Sequence, residues 1–521
     1  AAIATVFGLA ATTVATANAA DNATLTVSTT DAKFAGKTVN AYKMFSATVS
    51  GDGGSKAVSY TLTDAWKPFF KNSTASGLTG ATDENVNDKA NDYVSKLKGE
   101  DLVAFATKAS NWAQTKTNGI MAGATAMVSA GATNGSYTAT FTDLDYGYYV
   151  VAVPGATLAN ASGQYATLVS VDSTNVNTNI KGDLPTVDKK VQVGGTGKDA
   201  TDAKIGDTLT FTLTSTIPDM SAYDTYTFNF KDTLSQGLTF GQVTSVTVDG
   251  VTDPLTVNTD YTVTTPTTSD NTLTVSMKDF KKQQANAGKK ITVTYTATLN
   301  KDAVVGGHGN TNSATIQYSN NPSSGGTGES EPSKVRVFTY GFTVDKYTGD
   351  KYDDDATRLA GAEFALAPKN GTAMSFVQVD AGSATANAVY RVAKAGETDT
   401  TTTITTPANG KVVFQGLENG EYTLTETKAP AGYNKLASAI GVKVDGKNDG
   451  TDTTDATVAI TYNNDNGNSY NQTASNGVIP VQNKSGAILP GTGGMGTIAF
   501  TVIGVLVIAL GVAWTLKRKN A

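Results

Sequence analysis

The stretch Asp207–Ser215, DTLTFTLTS, alternates without a break: Leu209, Phe211 and Leu213 share one parity and threonines the other. Side chains of an extended strand point to opposite faces in turn, so such a segment has one dry and one wet face, and a helix with its 3.6-residue period cannot satisfy it. Thr/Val-rich alternation broken by turn residues continues through most of the chain, as in packed antiparallel sheets. A length of 521 residues exceeds what one hydrophobic core serves and predicts about three domains at roughly 150 residues each.

Two Pro/Gly/Ser-rich breaks, KGDLPT at Lys181–Thr186 and SNNPSSGGTGESEPSK at Ser319–Lys334, divide the exported part. Residues 20–182 have strand-like ends around a middle that reads as helical, DENVNDKANDYVSKLKGEDLVAFATKASNWAQ (Asp83–Gln114). Residues 183–333 and 334–486 read as β-sandwiches. A weak internal repeat links the outer two regions: LAGAEFAL (Leu359–Leu366) is similar to FAGKTVNAYKMF (Phe34–Phe45), and FQGLENGEYTLTE (Phe414–Glu426) to FTDLDYGYYVVAV (Phe141–Val153). The expected fold is therefore mainly β, a series of immunoglobulin-like sandwiches of which the first carries helical insertions, with a C-terminal transmembrane helix.

The two ends argue for export. Residues 1–19 are small and apolar and finish in Ala17-Asn18-Ala19, an A-x-A cleavage pattern, so they read as a secretory signal truncated at its N-terminus. Residues 495–516 hold the uncharged run Ile498–Leu516, about 19 residues, enough to cross a hydrocarbon core of roughly 30 Å. Lys517, Arg518 and Lys519 in the tail 517–521 hold that end in the cytoplasm, which puts the bulk of the chain outside. A net charge of −6 with sparse charged residues argues against a nucleic-acid partner. No cysteine is present, so neither disulfides nor thiolate metal sites staple the domains. We expect no cofactor and no metal. The acidic loop Gly349–Thr357 reads as solvated, and the single histidine, His308, has no evident catalytic partner in the sequence.

Polar residues on the apolar parity are the chemically informative ones. Lys346 shares parity with Phe342 and Val344, Glu426 with Tyr422 and Leu424, and Asn483 with Ile479 and Val481. The middle region repeats the set: Lys189 with Val187 and Val191, Asp232 with Phe228 and Phe230, Asn312 with Ala314 and Ile316, while Lys190 points outward. Asn310 lies close enough to compete with Asn312. An inward lysine is costly unless it is paired or neutralised. One outcome is a buried ion pair with an Asn hydrogen bond. The other is an amide bond: burial lowers a lysine pKa and raises that of a carboxylic acid, so a neutral amine can attack the Asn carboxamide while the acid polarises its carbonyl and ammonia leaves.

The motifs YTLTETKAPAGY (Tyr422–Tyr433), LAGAEFAL, KDTLSQGLTF (Lys231–Phe240) and LPGTGG (Leu489–Gly494) together resemble the three-domain backbone pilins of Gram-positive bacteria, with CnaA/CnaB-type domains, assembled by sortases. The resemblance implies Lys–Asn isopeptide bonds at Lys346, Asn483 and Glu426 and at Lys189, Asn312 and Asp232. Region one has no inward Lys in NATLTVST and has Val153 where the acid would fall, so no crosslink is expected there. The resemblance also makes residues 487–494 a sorting signal, gripped at Leu489, Pro490, Gly491, Thr492 and Gly493 and cut between Thr492 and Gly493, so that Thr492 becomes an acyl-enzyme for an amine to capture. The chain would then be a substrate of sortase rather than an enzyme. The usual YPK motif is missing, and Lys181 stands in the corresponding place with Lys190 as the alternative. Implied partners are copies of the chain itself, sortase, ancillary pilins and cell-wall peptidoglycan, with host or matrix ligands allowed. The implied location is a wall-anchored surface pilus, held at the membrane before sorting. A wall-anchored or pilus-tip adhesin is the alternative function.

Overall fold

The computed structural model describes residues 22–51, 56–131, 135–157, 166–322, 325–448, 450–463 and 470–486. It is built mostly of β-strands, as the alternation predicts. The secretory signal, the sorting signal and the apolar run with its basic tail lie outside the described residues. Among the described residues no helix is long and apolar enough to cross a membrane. The chain forms two compact units: residues 1–340 with 416–418 and 446–458, and residues 341–415 with 419–445 and 459–521.

The first unit holds two sandwiches with separate cores. In the N-terminal one, strand Ala23–Thr29 pairs antiparallel with Tyr137–Leu144 and parallel with Asn175–Asn179, setting Leu25 opposite both Phe141 and Val176. The other sheet centres on Thr38–Ser50 and Gly147–Ala152. Strand Thr38–Ser50 is buried on both faces: Val39 and Ala41 enter the core between the sheets, whereas Tyr42 and Met44 meet a second core under the helices. That explains the apolar stripe Phe105, Ala109 and Ala113 on helix Gly99–Gln114, four residues apart on one face, with Glu100 and Asp101 in its first turn where the helix dipole favours acids.

In the second sandwich of this unit, a sheet ordered Thr196–Lys198, Asp188–Val193, Thr208–Thr216, Lys290–Leu299, Leu238–Val248 packs on one that includes Thr272–Met277, Phe228–Leu234 and Gly306–Ser319. Phe211, Leu213, Val293, Tyr295, Phe228, Phe230 and Ile316 from both sheets share one core. The threonines opposite Leu209, Phe211 and Leu213 form rungs with neighbouring strands, for example Thr214 Oγ1 to Thr292 Oγ1 at 3.1 Å.

In the second unit, the end of strand Ser333–Thr348 pairs parallel with Val478–Gln482, so that Val344 faces Ile479 and Lys346 faces Val481. Strand Glu363–Pro368 pairs antiparallel with Gly420–Lys428. This is the topology of the N-terminal sandwich, in which Thr38–Ser50 pairs with Gly147–Ala152 and the first strand lies parallel to a late one. The internal repeat is thus a repeat of strand pairing.

Two buried lysine clusters and one exposed lysine as candidate functional sites

Lys189 sits between Val187 and Val191, and all three are buried. Its strand, Asp188–Val193, lies antiparallel to Thr208–Thr216 with Lys189 opposite Leu213. Asp232 and Asn312 come from the facing sheet, on the paired strands Phe228–Leu234 and Gly306–Ser319; the register sets Asp232 opposite Ala314 and Leu234 opposite Asn312. The two side chains are therefore diagonal neighbours on one face. Lys189, Asp232 and Asn312 are each 0% exposed.

Lys189 Nζ donates to Asp232 Oδ2 and, at 2.8 Å, to the hydroxyl of Tyr295. The same hydroxyl donates to Asp232 Oδ2 at 2.9 Å and accepts from Asn312 Nδ2 at 2.6 Å. The Phe211 and Tyr295 rings, stacked on each other, flank the ammonium at 5.1 Å. Burial in this apolar setting pushes the Lys189 pKa down and the Asp232 pKa up, against the opposing pull of their mutual charge. Both shifts favour the neutral forms, an amine and a carboxylic acid.

The second unit assembles the same residue types differently. Lys346 lies on strand Ser333–Thr348, Asn483 directly follows its parallel neighbour Val478–Gln482, and Glu426 comes from Gly420–Lys428 in the other sheet. All three are essentially solvent-free. Lys346 Nζ is 3.3 Å from Glu426 Oε1 and donates to the Val481 carbonyl at 3.3 Å. Asn483 Nδ2 donates to Glu426 Oε2 at 3.1 Å and to the Asn434 carbonyl at 2.8 Å, while the Leu436 amide donates to Glu426 Oε2 at 2.7 Å. The segment after the acid's strand thus holds both the acid and the amide. Burial lowers the Lys346 pKa to about 8, with Glu426 opposing the shift.

In both clusters the amide oxygen, Asn312 Oδ1 or Asn483 Oδ1, is buried without a hydrogen-bond partner among the described residues, and so is Asp232 Oδ1, while Glu426 Oε1 has only the Lys346 ion pair. A buried unmet acceptor costs about 1–3 kcal/mol. A protonated carboxyl has a donor to offer such an oxygen; a carboxylate has none. The arrangement suits an amine held beside a polarised carboxamide.

Asn310 has the same parity as Asn312 and is equally buried, but its partners are all backbone. Its Nδ2 donates to the carbonyls of Val304 and Val337 and its Oδ1 accepts from the Val304 amide. The fourth member of the middle cluster, Tyr295, is absent from the sequence-derived set. Its signal is an inward tyrosine in KITVTYTATL, whose hydroxyl must find a partner once the ring is buried. In the N-terminal sandwich no lysine is buried among the described residues, and Val153 is a core residue.

Lys181 is exposed, beside a shallow pocket lined by Val27, Val39, Val151, Thr167 and Ile180. The backbone on either side is fixed. The Ile180 amide donates to the Ser28 carbonyl at 2.9 Å, and Asp183 bridges to Thr157 in both directions and takes an ion pair from Lys33 at 2.5 Å. Lys190 is half-buried and ion-paired with Asp199 at 2.6 Å and Asp188 at 3.1 Å, which raises its pKa, chiefly through the Asp199 hydrogen bond. Leu489, Pro490, Gly491, Thr492 and Gly493 lie outside the described residues. His308 does have a partner, Asp455 at 2.7 Å, but the imidazole is 83% exposed and Asp455 is shared with Arg336, a surface ion-pair network. No group of three acidic or imidazole side chains that could hold a metal occurs among the described residues.

Residues 205–322, which contain Asp232, Tyr295 and Asn312, match the family described as Gram-positive pilin backbone subunit 2, Cna-B-like domain. That segment is similar to the Gram-positive backbone pilins. Residues 345–459 match a prealbumin-like fold domain. Over 273 residues the chain is 26% identical to the trypsin-resistant surface T6 protein of Streptococcus pyogenes serotype M6, covering 49% of this chain and 44% of the other. The match therefore spans less than half the length of that protein. Among solved structures, the T6 backbone pilin of the same organism aligns over 89% of this chain and 98% of its own at 19% identity, with a TM-score of 0.47. The full-length major pilin SpaD of Corynebacterium diphtheriae aligns over the same shares at 20% identity, with a TM-score of 0.43.

Proposed function

We propose that this chain is the structural shaft subunit of a covalently polymerised cell-surface pilus of a Gram-positive bacterium, and that its two buried clusters form intramolecular Lys–Asn isopeptide bonds. The observation that carries the reading is the pair of solvent-free lysine, carboxyl and carboxamide sets, the carboxyl Asp232 and carboxamide Asn312 of one lying inside the segment that matches a pilin-backbone family. The neutral Lys189 amine attacks Cγ of Asn312, and Lys346 attacks Cγ of Asn483. In each case a C–N bond forms, the bond to Nδ2 breaks, ammonia leaves, and the acid, Asp232 or Glu426, passes one proton from the amine side to the leaving nitrogen and ends as it began. Each bond closes a loop of more than about 100 residues, worth about 4–5 kcal/mol in the chain-entropy account. It replaces the disulfides that a chain without cysteine lacks.

Polymerisation uses the other two elements. A sortase cleaves after Thr492, the apolar span and basic tail having held the substrate at the membrane. The exposed amine of Lys181 on a neighbouring copy then captures the acyl group. The fixed backbone around Lys181 and its open surface suit an acceptor that an external enzyme must reach. The last subunit goes to peptidoglycan, and the shaft serves surface adhesion alongside ancillary pilins. Cell-wall extracts run under denaturing conditions test the polymer: a ladder of high-mass species is expected, and monomer alone would overturn the shaft reading. The intact mass of the chain tests the internal bonds. A deficit of two ammonia molecules is expected, two and not three because the N-terminal sandwich has no buried lysine among its described residues.

A further inference from the structure

The two clusters differ in how the acid reaches the nitrogen that must leave. In the second unit Glu426 Oε2 is 3.1 Å from Asn483 Nδ2, a direct contact. In the middle sandwich the acid is Asp232, one methylene shorter, and the hydrogen bond from Asn312 Nδ2 goes instead to the hydroxyl of Tyr295, which in turn donates to Asp232 Oδ2. That hydroxyl also touches the attacking atom, Lys189 Nζ, at 2.8 Å. Among the described residues it is the one group in contact with the nucleophile, the acid and the leaving nitrogen.

We infer that Tyr295 is a catalytic residue of isopeptide formation in the middle domain, relaying the proton from Asp232 to the departing nitrogen of Asn312. The inference rests on the isopeptide reading above. As Nζ bonds to Cγ of Asn312, the Tyr295 O–H passes its proton to Nδ2 and regains one from the Asp232 carboxyl. Nδ2 leaves as ammonia, and the proton shed by Nζ restores the acid. Tyr295 and Asp232 both end as they began, and no outside reactant is needed. Burial holds the Tyr295 pKa well above its ordinary value, so the phenol is protonated before the single transfer and after it. The ring is positioned by its stack on Phe211, with centroids 5.3 Å apart and planes 16° from parallel, which a phenylalanine would preserve.

The test uses the full chain recovered unlinked from inclusion bodies and refolded, with intact mass followed in time. The wild-type chain is expected to lose two ammonia molecules. Tyr295→Phe is expected to lose one at the normal rate, from Lys346 and Asn483, and the second at least about 100-fold more slowly, the usual scale of a lost general acid. Loss of both at wild-type rates overturns the relay. A wild-type chain that loses only the C-terminal ammonia overturns the bond in the middle domain itself, a different failure. To separate lost chemistry from lost fold, Lys189→Ala supplies the melting reference for an unlinked middle domain. Should Tyr295→Phe melt below it, the double variant Asp232→Glu with Tyr295→Phe decides. The longer acid reaches Asn312 Nδ2 directly, as Glu426 reaches Asn483, so the second ammonia loss returns; its continued absence overturns the relay.

Discussion

Asn310 and Asn312 stand on the same face of strand Gly306–Ser319, both buried, and only Asn312 meets the Lys189 cluster. Asn310 instead ties the Val304 backbone to that of Val337. Two identical side chains one period apart therefore have separable roles. Asn312→Ala is expected to abolish one ammonia loss, read by intact mass. Asn310→Ala should keep both losses and lower stability by about 1–3 kcal/mol, the cost of stranding buried backbone groups, read by urea denaturation.

The exposed lysines make a similar contrast. Lys181 has no ion-pair or hydrogen-bond partner for its amine among the described residues, whereas Lys190 is clamped by Asp199 and Asp188. Lys181→Ala should collapse the high-mass ladder of wall extracts to monomer, and Lys190→Ala should leave it intact. A ladder that survives the first change assigns the linkage to another amine.

Removing the C-terminal bond should lower stability without dissolving the fold. In Asn483→Ala the loop from Lys346 is open, and the chain-entropy account predicts a loss of about 4–5 kcal/mol. The measurable result is a lower melting temperature of the second unit in calorimetry, with the strand signal of circular dichroism retained.

That same unlinked variant should be pH-sensitive in a defined direction. The folded Lys346 pKa is about 8 against an ordinary 10.5. Below pH 8 the lysine is protonated in both states and contributes no slope. Between about 8 and 10.5 the unfolded chain binds the extra proton, so stability rises with pH, by up to about 1.4 kcal/mol per pH unit. The urea midpoint of Asn483→Ala should increase from roughly pH 7.5, below that window, to roughly pH 9.5, inside it. The double variant with Lys346→Met should lack that increase, and an equal rise in both would assign the effect elsewhere.

Strand parity carried most of the site. Because side chains alternate strictly, Lys189, Asp232, Asn312, Lys346, Glu426 and Asn483 could each be placed inside a core from their immediate neighbours, and all six are buried. Parity is a one-dimensional property, however. It cannot rank Asn310 against Asn312, which share it, and it treats Tyr295 as one more core aromatic beside Val293 and Ala297. The weak repeat between the outer regions was legible as words, while its meaning, the same strand pairing with parallel first and late strands, needed the sheet register.

By itself, the sequence determined the mainly β architecture, the inward polar residues, the outward Lys190 and the absence of a disulfide staple, all local consequences of period-two alternation and composition. Only the tertiary structure decided which of those residues meet. Lys189 reaches Asp232 directly and Asn312 through the Tyr295 hydroxyl across two packed sheets, whereas Asn483 directly follows the strand that lies parallel to that of Lys346, with Glu426 opposite. In the middle sandwich the acid and the amide each bond to Tyr295, whereas Glu426 takes the Asn483 N–H directly. The Asn312 N–H is met instead by the hydroxyl of Tyr295, from the preceding strand in the facing sheet, because a buried amide N–H must be met by some acceptor.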